Sequence, residues 1–182
     1  MQTTQNDLTA SQVLEARKEL GRKMLDEMLI KGKFHFVQER NGEVIHREEI
    51  PNGITNQGKN ALLDIMFHAS TQITTWYIGL IDNSGWTAEA AGDTLASHAG
   101  WNEFSNYSGN RQAWTEDAAS GQSITNSTPV SFSITGNGTL KGIFVASVAS
   151  GTSGTLWSTA DFGSTVSVSN GDTLKITYTV NA

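Results

Sequence analysis

The sequence predicts a mainly β protein: an antiparallel β-sandwich or jelly roll with an N-terminal helix-plus-hairpin arm and one packed helix. Three observations carry that prediction. Val130, Phe132 and Ile134 alternate with Ser131, Ser133 and Thr135, and Leu174, Ile176, Tyr178 and Val180 alternate with Thr173, Lys175, Thr177 and Thr179, the period of half-buried strands. Asn41-Gly42 separates two strand-like runs by the residue pair favoured in a type I′ hairpin turn. Charge also changes along the chain: residues 1–60 hold nine Lys/Arg and nine Asp/Glu, whereas residues 61–182 hold three and nine, so the net charge of -6 sits in the later part.

The first element is a helix. Thr9-Ala-Ser-Gln12 reads as a capping box, and Val13, Ala16, Leu20, Met24 and Met28 follow at helical spacing, with Leu25 and Leu29 widening the stripe and Gly32 expected to stop it. Glu19 with Lys23 and Glu27 with Lys31 stand at the i,i+4 spacing of favourable pairs. So amphipathic a helix needs a partner surface in water, supplied by its own domain or by another subunit. The hairpin Lys33–Ile50 follows. Register counted from its turn sets Phe34, Phe36 and Gln38 on one face with Ile45, and Val37 with Val44 and Ile50 on the other. An isolated hairpin is marginal, so it is expected to add to a sheet in this chain or in a neighbour. These elements make up an arm, residues 1–50, ahead of a sandwich domain, residues 51–182.

Within the sandwich, Thr55 or Asn56 can cap a helix running to about His68, with Ala61, Leu62, Ile65 and Met66 as its apolar stripe. Thr74 to Ile81 is apolar on both faces, Trp76, Ile78 and Leu80 against Tyr77 and Ile81, which predicts a central strand. Residues 82–129 are rich in Gly, Ser, Asn and Ala yet carry Trp86, Trp101, Phe104, Tyr107 and Trp114. A connection of that length is a functional loop or hides short elements. Its aromatics either plug the loops onto the sandwich or expose indole faces for stacking on sugar rings. Thr139–Val148 and Thr165–Ser169 add two strands, and turns at Gly136-Asn137-Gly138 and Asn170-Gly171-Asp172 punctuate the series.

Composition excludes several classes of function. With no cysteine there is no disulfide framework and no thiolate metal site. No apolar run approaches a membrane span, and the N-terminus lacks a basic and an apolar signal region, so a soluble chain without a signal peptide is expected. An acidic, Arg-poor β domain is a poor electrostatic match for a phosphate backbone. His35, His46, His68 and His98 are isolated, there is no GxSxG elbow or GK[ST] phosphate loop, and Asp82-Asn-Ser-Gly85 and Glu116-Asp117 read as turns, not calcium loops. The expectation is a non-enzyme with no catalytic residues, metal or cofactor, and no nucleic-acid or membrane partner.

Two stretches, PNGITNQGKNALLDIMFH with TTWYIGLID and the later WNEFSNYS, RQAWT, TLKGIFVASVASGTSGTLWSTADFG and VSNGDTLKITYTV, resemble small structural proteins of tailed bacteriophages. In that group a mixed N-terminal arm precedes a β-sandwich that decorates the virion; the resemblance spans roughly residues 33–182. It implies a capsid decoration (cement) protein, made in the host cytoplasm and carried on the outer capsid surface, that stabilises the shell by bridging subunits of the major capsid protein. A homo-oligomer is expected, and the resemblance alone suggests a trimer. Leu20, Met24, Met28, Phe34, Phe36 and Ile45 of the arm are the candidate interface residues. The alternative is a receptor- or glycan-binding module of a tail or head fibre, with Trp86, Trp101 and Trp114 as the glycan platform.

Overall fold

The computed structural model describes residues 9–27 and 30–182, and the chain divides into two compact units at residues 30/31. The first holds α1, Ala10–Glu27. Its start is the expected capping box: the Thr9 amide donates to Gln12 Oε1 at 2.8 Å, and the Gln12 amide donates to Thr9 Oγ1 at 3.3 Å. Lys18 pairs with Glu15 and Arg22 with Glu19, both in solvent, where such pairs contribute only tenths of a kcal/mol, about 0.2–0.5 each. Leu14 and Leu20 are exposed. The Met24 side chain and Met28 lie outside the described residues.

The second unit runs β1 (Lys31–Arg40), β2 (Glu43–Ile54), α2 (Asn56–Phe67), β3 (Trp76–Asp82), β4 (Asn102–Phe104), β5 (Gln112–Trp114), β6 (Ser123–Thr125), β7 (Val130–Ser133), β8 (Gly138–Ala146), β9 (Leu156–Val168) and β10 (Thr173–Asn181). It is mainly β and antiparallel, a curled sheet folded into a sandwich. One layer contains β1, β2, β10, β6 and β7, the other β3, β4, β5, β8 and β9. The end of β2 joins them, Gly53 and Ile54 pairing with Thr159 and Ser158 of β9. The main core lies between the layers and draws Phe34, Phe36, Phe132 and Tyr178 from the first and Ile78, Leu80, Ile143 and Phe162 from the second. As the sequence predicts, β3 is central, flanked by β8 on one side and by β4 and β5 on the other, and Ile81 serves its opposite face.

The hairpin adds to a sheet of its own chain, one of the two places expected, and departs from expectation in register. It is internal to the sheet, β1 pairing with β10 over its whole length, so Phe34 and Phe36 are fully buried within their own domain. They are core residues, which corrects their assignment to an intersubunit surface. The turn itself is type I′, with Asn41 at φ 53° and Gly42 at φ 83°. Beyond it a β-bulge inserts Ile45: Glu39 pairs with Val44 but Gln38 pairs with His46, and Phe34 then meets Ile50. One extra residue exchanges the two faces of a strand, so Ile50 joins the core while Ile45 and Val44 stay in solvent. Gly32, expected as a helix stop, lies within β1 against Asn52 and the Tyr178 hydroxyl.

Residues 82–129 hide the short strands β4, β5 and β6, and their aromatics mostly plug. Trp101 stacks on His98 at 3.8 Å, donates its indole N–H to Asp93 at 2.9 Å, and with Leu95 covers Phe144 and Ile81 on the outer face of β3 and β8. Buried Arg111 holds this end together. Its Nε and Nη2 meet Glu103 at 2.9 and 2.7 Å, and two further N–H groups reach the carbonyls of Val148 and Gly151 at 3.0 Å. Such a bidentate pair, with four of the five donors satisfied, is what makes a buried guanidinium tolerable. Asp82 closes an ordinary turn by accepting from the Ser84 amide at 2.8 Å.

Candidate functional site

The second unit carries an apolar groove beside α2. Thr55 starts the helix, its hydroxyl accepting from the Gly58 amide at 3.0 Å and donating to the Leu156 carbonyl at 2.5 Å. Gln57 fixes the same turn to β9, its Oε1 taking the Leu156 amide at 2.8 Å. Gly58 permits the close approach: a Cβ there would lie 2.5 Å from the Trp157 carbonyl oxygen. Anchored at its N-terminus, α2 leaves between itself and the sheet a groove of about 320 Å³. Its walls include Leu62, Ile65, Trp76 and Trp157, and Glu116 is the one charged residue among those lining it.

Aromatic packing shapes the floor. Trp76 and Trp157 lie 5.8 Å apart at 52°. The Tyr178 hydroxyl accepts from Trp157 Nε1 at 2.8 Å and from Asn52 Nδ2 at 2.7 Å, and burial pushes the phenol up to about 12. It is a fixed, neutral floor at any physiological pH. Asn126 completes it, its Oδ1 accepting from Trp114 Nε1 and from the Tyr178 amide, each at 2.8 Å.

The expected glycan platform is not assembled. Trp101 and Trp114 are buried, in different clusters, and Trp86 is half-buried with the Lys141 ammonium 4.5 Å above its ring. Trp86 and Trp101 pack their indoles against the outer cluster and so seal their polar loops to the sheet, whereas Trp114 lies on β5. The groove is lined by Trp76 and Trp157, both half-buried, and also by the buried Trp114, all three on strands. Of the candidate interface residues, Leu20 and Ile45 are exposed, 58% and 49%, on separate units.

A second cavity, about 230 Å³, lies where the 87–100 loop covers the end of β2, lined by Thr55, Glu89 and Thr159 among others. Glu89 is pushed up to about 7, first by burial and then by the Asp161 charge, with Lys141 opposing. Lys141 pairs with Asp161 and donates to the Phe162 carbonyl at 2.8 Å. Glu89 Oε1 has no hydrogen-bond partner. Among the described residues no three His, Cys, Asp or Glu side chains converge as a metal site, and no helix is long and apolar enough to cross a membrane.

A β-sandwich with an aromatic-floored groove is a scaffold and a surface, and comparison with known proteins agrees in class. Residues 53–180 match the family described as podophage GP4 fiber I protein gp80, and the chain belongs to that family, a structural protein of the bacteriophage virion. The match begins at the end of β2 and takes in α2 and every later strand. No curated protein matches the chain.

Proposed function

We propose that this chain is a non-enzymatic subunit of a virion fibre, with the sandwich as its body and the N-terminal unit as its link to the rest of the particle. The family match carries this reading, since the matched family is described as a fibre protein and the match covers the sandwich. The arm supports it as well. With the hairpin committed to the sandwich, α1, with Leu14 and Leu20 in solvent, is the element left to dock on another virion protein. The capsid-cement reading would have to work through that same helix, without the hairpin clamp it calls for.

Virions lacking the protein separate the two readings. Loss of a fibre subunit leaves heads that keep their genome on heating but adsorb poorly to host cells. Loss of a cement leaves adsorption intact and lowers the temperature at which heads release DNA.

A further inference from the structure

Three side chains converge on one rung of the ladder between β8 and β9. Lys141 of β8 forms its ion pair with Asp161 of β9, the residue that faces Gly142 across the ladder. The Lys141 side chain is only 12% exposed: the Trp86 ring covers its ammonium at 4.5 Å, and the Phe162 carbonyl accepts from it at 2.8 Å. Lys18, Lys33 and Lys175 pair with carboxylates too, but they are 51%, 51% and 43% exposed. Glu89 is the third member. A Cβ on Gly142 would stand 3.2 Å from Glu89 Oε1, so that oxygen lies over the same rung, buried and without a hydrogen-bond partner among the described residues. Burial and the Asp161 charge keep a proton on much of this carboxyl at neutral pH. An amine, a carboxyl and a neutral acid are the parts of an amide condensation, and the fold holds them side by side.

We propose that Lys141 and Asp161 join in an isopeptide bond, formed by the folded chain itself with Glu89 as hydrogen-bond donor. Within the pair one proton passes from the Lys141 ammonium to the Asp161 carboxylate, leaving an amine and an acid. The Lys141 nitrogen attacks Asp161 Cγ, and the Glu89 O–H donates to the carboxyl oxygen that takes up negative charge. A second nitrogen proton goes to the hydroxyl on Cγ, the C–O bond breaks, and water leaves on the side where Asp161 is 38% exposed. An ammonium and a carboxylate thus become one amide and one water, with no change of oxidation state. Removal from water favours that neutral product over the ion pair. The bond ties β8 to β9 beside the bulge between Leu140 and Gly142, where the ladder is interrupted, and, like any cross-link, it restricts the unfolded chain. The inference goes beyond the fibre assignment and is independent of it, because it concerns the isolated chain and holds wherever on the virion the protein sits.

The intact mass of the purified, folded, full-length chain tests it. Wild type should be lighter than its sequence by one water. Trypsin should leave residues 112–175 as one fragment, because Lys141 is no longer a cleavage site, and fragmentation of that piece should place the bridge between Lys141 and Asp161. Lys141→Arg and Asp161→Ala should each show the full sequence mass. Glu89→Ala should leave most chains unbonded, whereas Glu89→Gln, which keeps a donor at the same place, should retain the bond. Circular dichroism confirms the fold of each variant. A wild type of full mass, a loss of water that survives Lys141→Arg or Asp161→Ala, or a Glu89→Ala chain bonded as completely as wild type would each overturn the proposal.

Discussion

Ile50 lies directly opposite Phe34 across β1 and β2, one residue out of the register that the Asn41-Gly42 turn alone imposes. The bulge at Ile45 makes the difference and decides which of two isoleucines supports the fold. Ile50→Ala is expected to cost about 2–5 kcal/mol, through lost transfer energy and the cavity left beside Phe34. Ile45→Ala should stay within about 0.5 kcal/mol, as at an ordinary surface site. Chemical unfolding of the two variants gives the ranking directly, and the reverse order would restore the unbulged register.

This register also marks where the sequence stops being legible. Period-two alternation in Val130–Thr135 and Thr173–Val180, the type I′ turn and the capped helix at Thr55 are local signals, and they became β7, β10, the hairpin and α2. A bulge has no signature in a run such as EVIHREEI, where apolar residues are too sparse to show a change of phase. The pairing of β1 with β10 is a contact between opposite ends of the second unit, which no local pattern encodes. The groove was invisible for a related reason. Leu62, Ile65 and Trp76 read as core, Trp157 carries no local signal of its own, and only the distance between α2 and the sheet makes them a surface.

Trp101 and Trp114 are structural. Trp101→Ala and Trp114→Ala should each cost about 3–5 kcal/mol in unfolding experiments, because each empties a buried site and leaves Asp93 or Asn126 without an indole donor. Trp86→Ala should cost less, its ring being half-buried. Loss of binding on a glycan array without loss of stability, in either buried variant, would return these residues to a platform role.

Asp172 predicts acid sensitivity. The Arg40 guanidinium, at 2.7 and 2.8 Å from its two oxygens, holds its carboxyl down at about 2, with the Ser169 amide and Gln38 assisting. The folded value lies below the ordinary 3.8, so the stabilisation is complete above that value and lost as pH falls through it toward 2. Melting temperatures between pH 2 and 5 should fall less steeply for Asp172→Asn than for wild type. Parallel slopes would show that the carboxylate contributes nothing.

Glu89 predicts the opposite trend near neutrality. Its folded value of about 7 lies above the ordinary 4.5, so the folded state holds the proton more tightly, and stability declines as pH rises from about 4.5 to 7. Glu89→Gln keeps the neutral shape and should flatten this decline, leaving the variant more stable than wild type above pH 7. A wild-type melting temperature that rises across that interval while Glu89→Gln stays flat would contradict the assignment.

The central claim is a location. Cryo-electron microscopy of the intact virion, with the chain identified by fitting the sandwich and its α2 groove into density, tests it most directly. The account predicts density in a fibre projecting from the head or tail, with the sandwich standing clear of the shell lattice. Density spread over the shell at the joints between capsid subunits would contradict it and establish the cement reading instead.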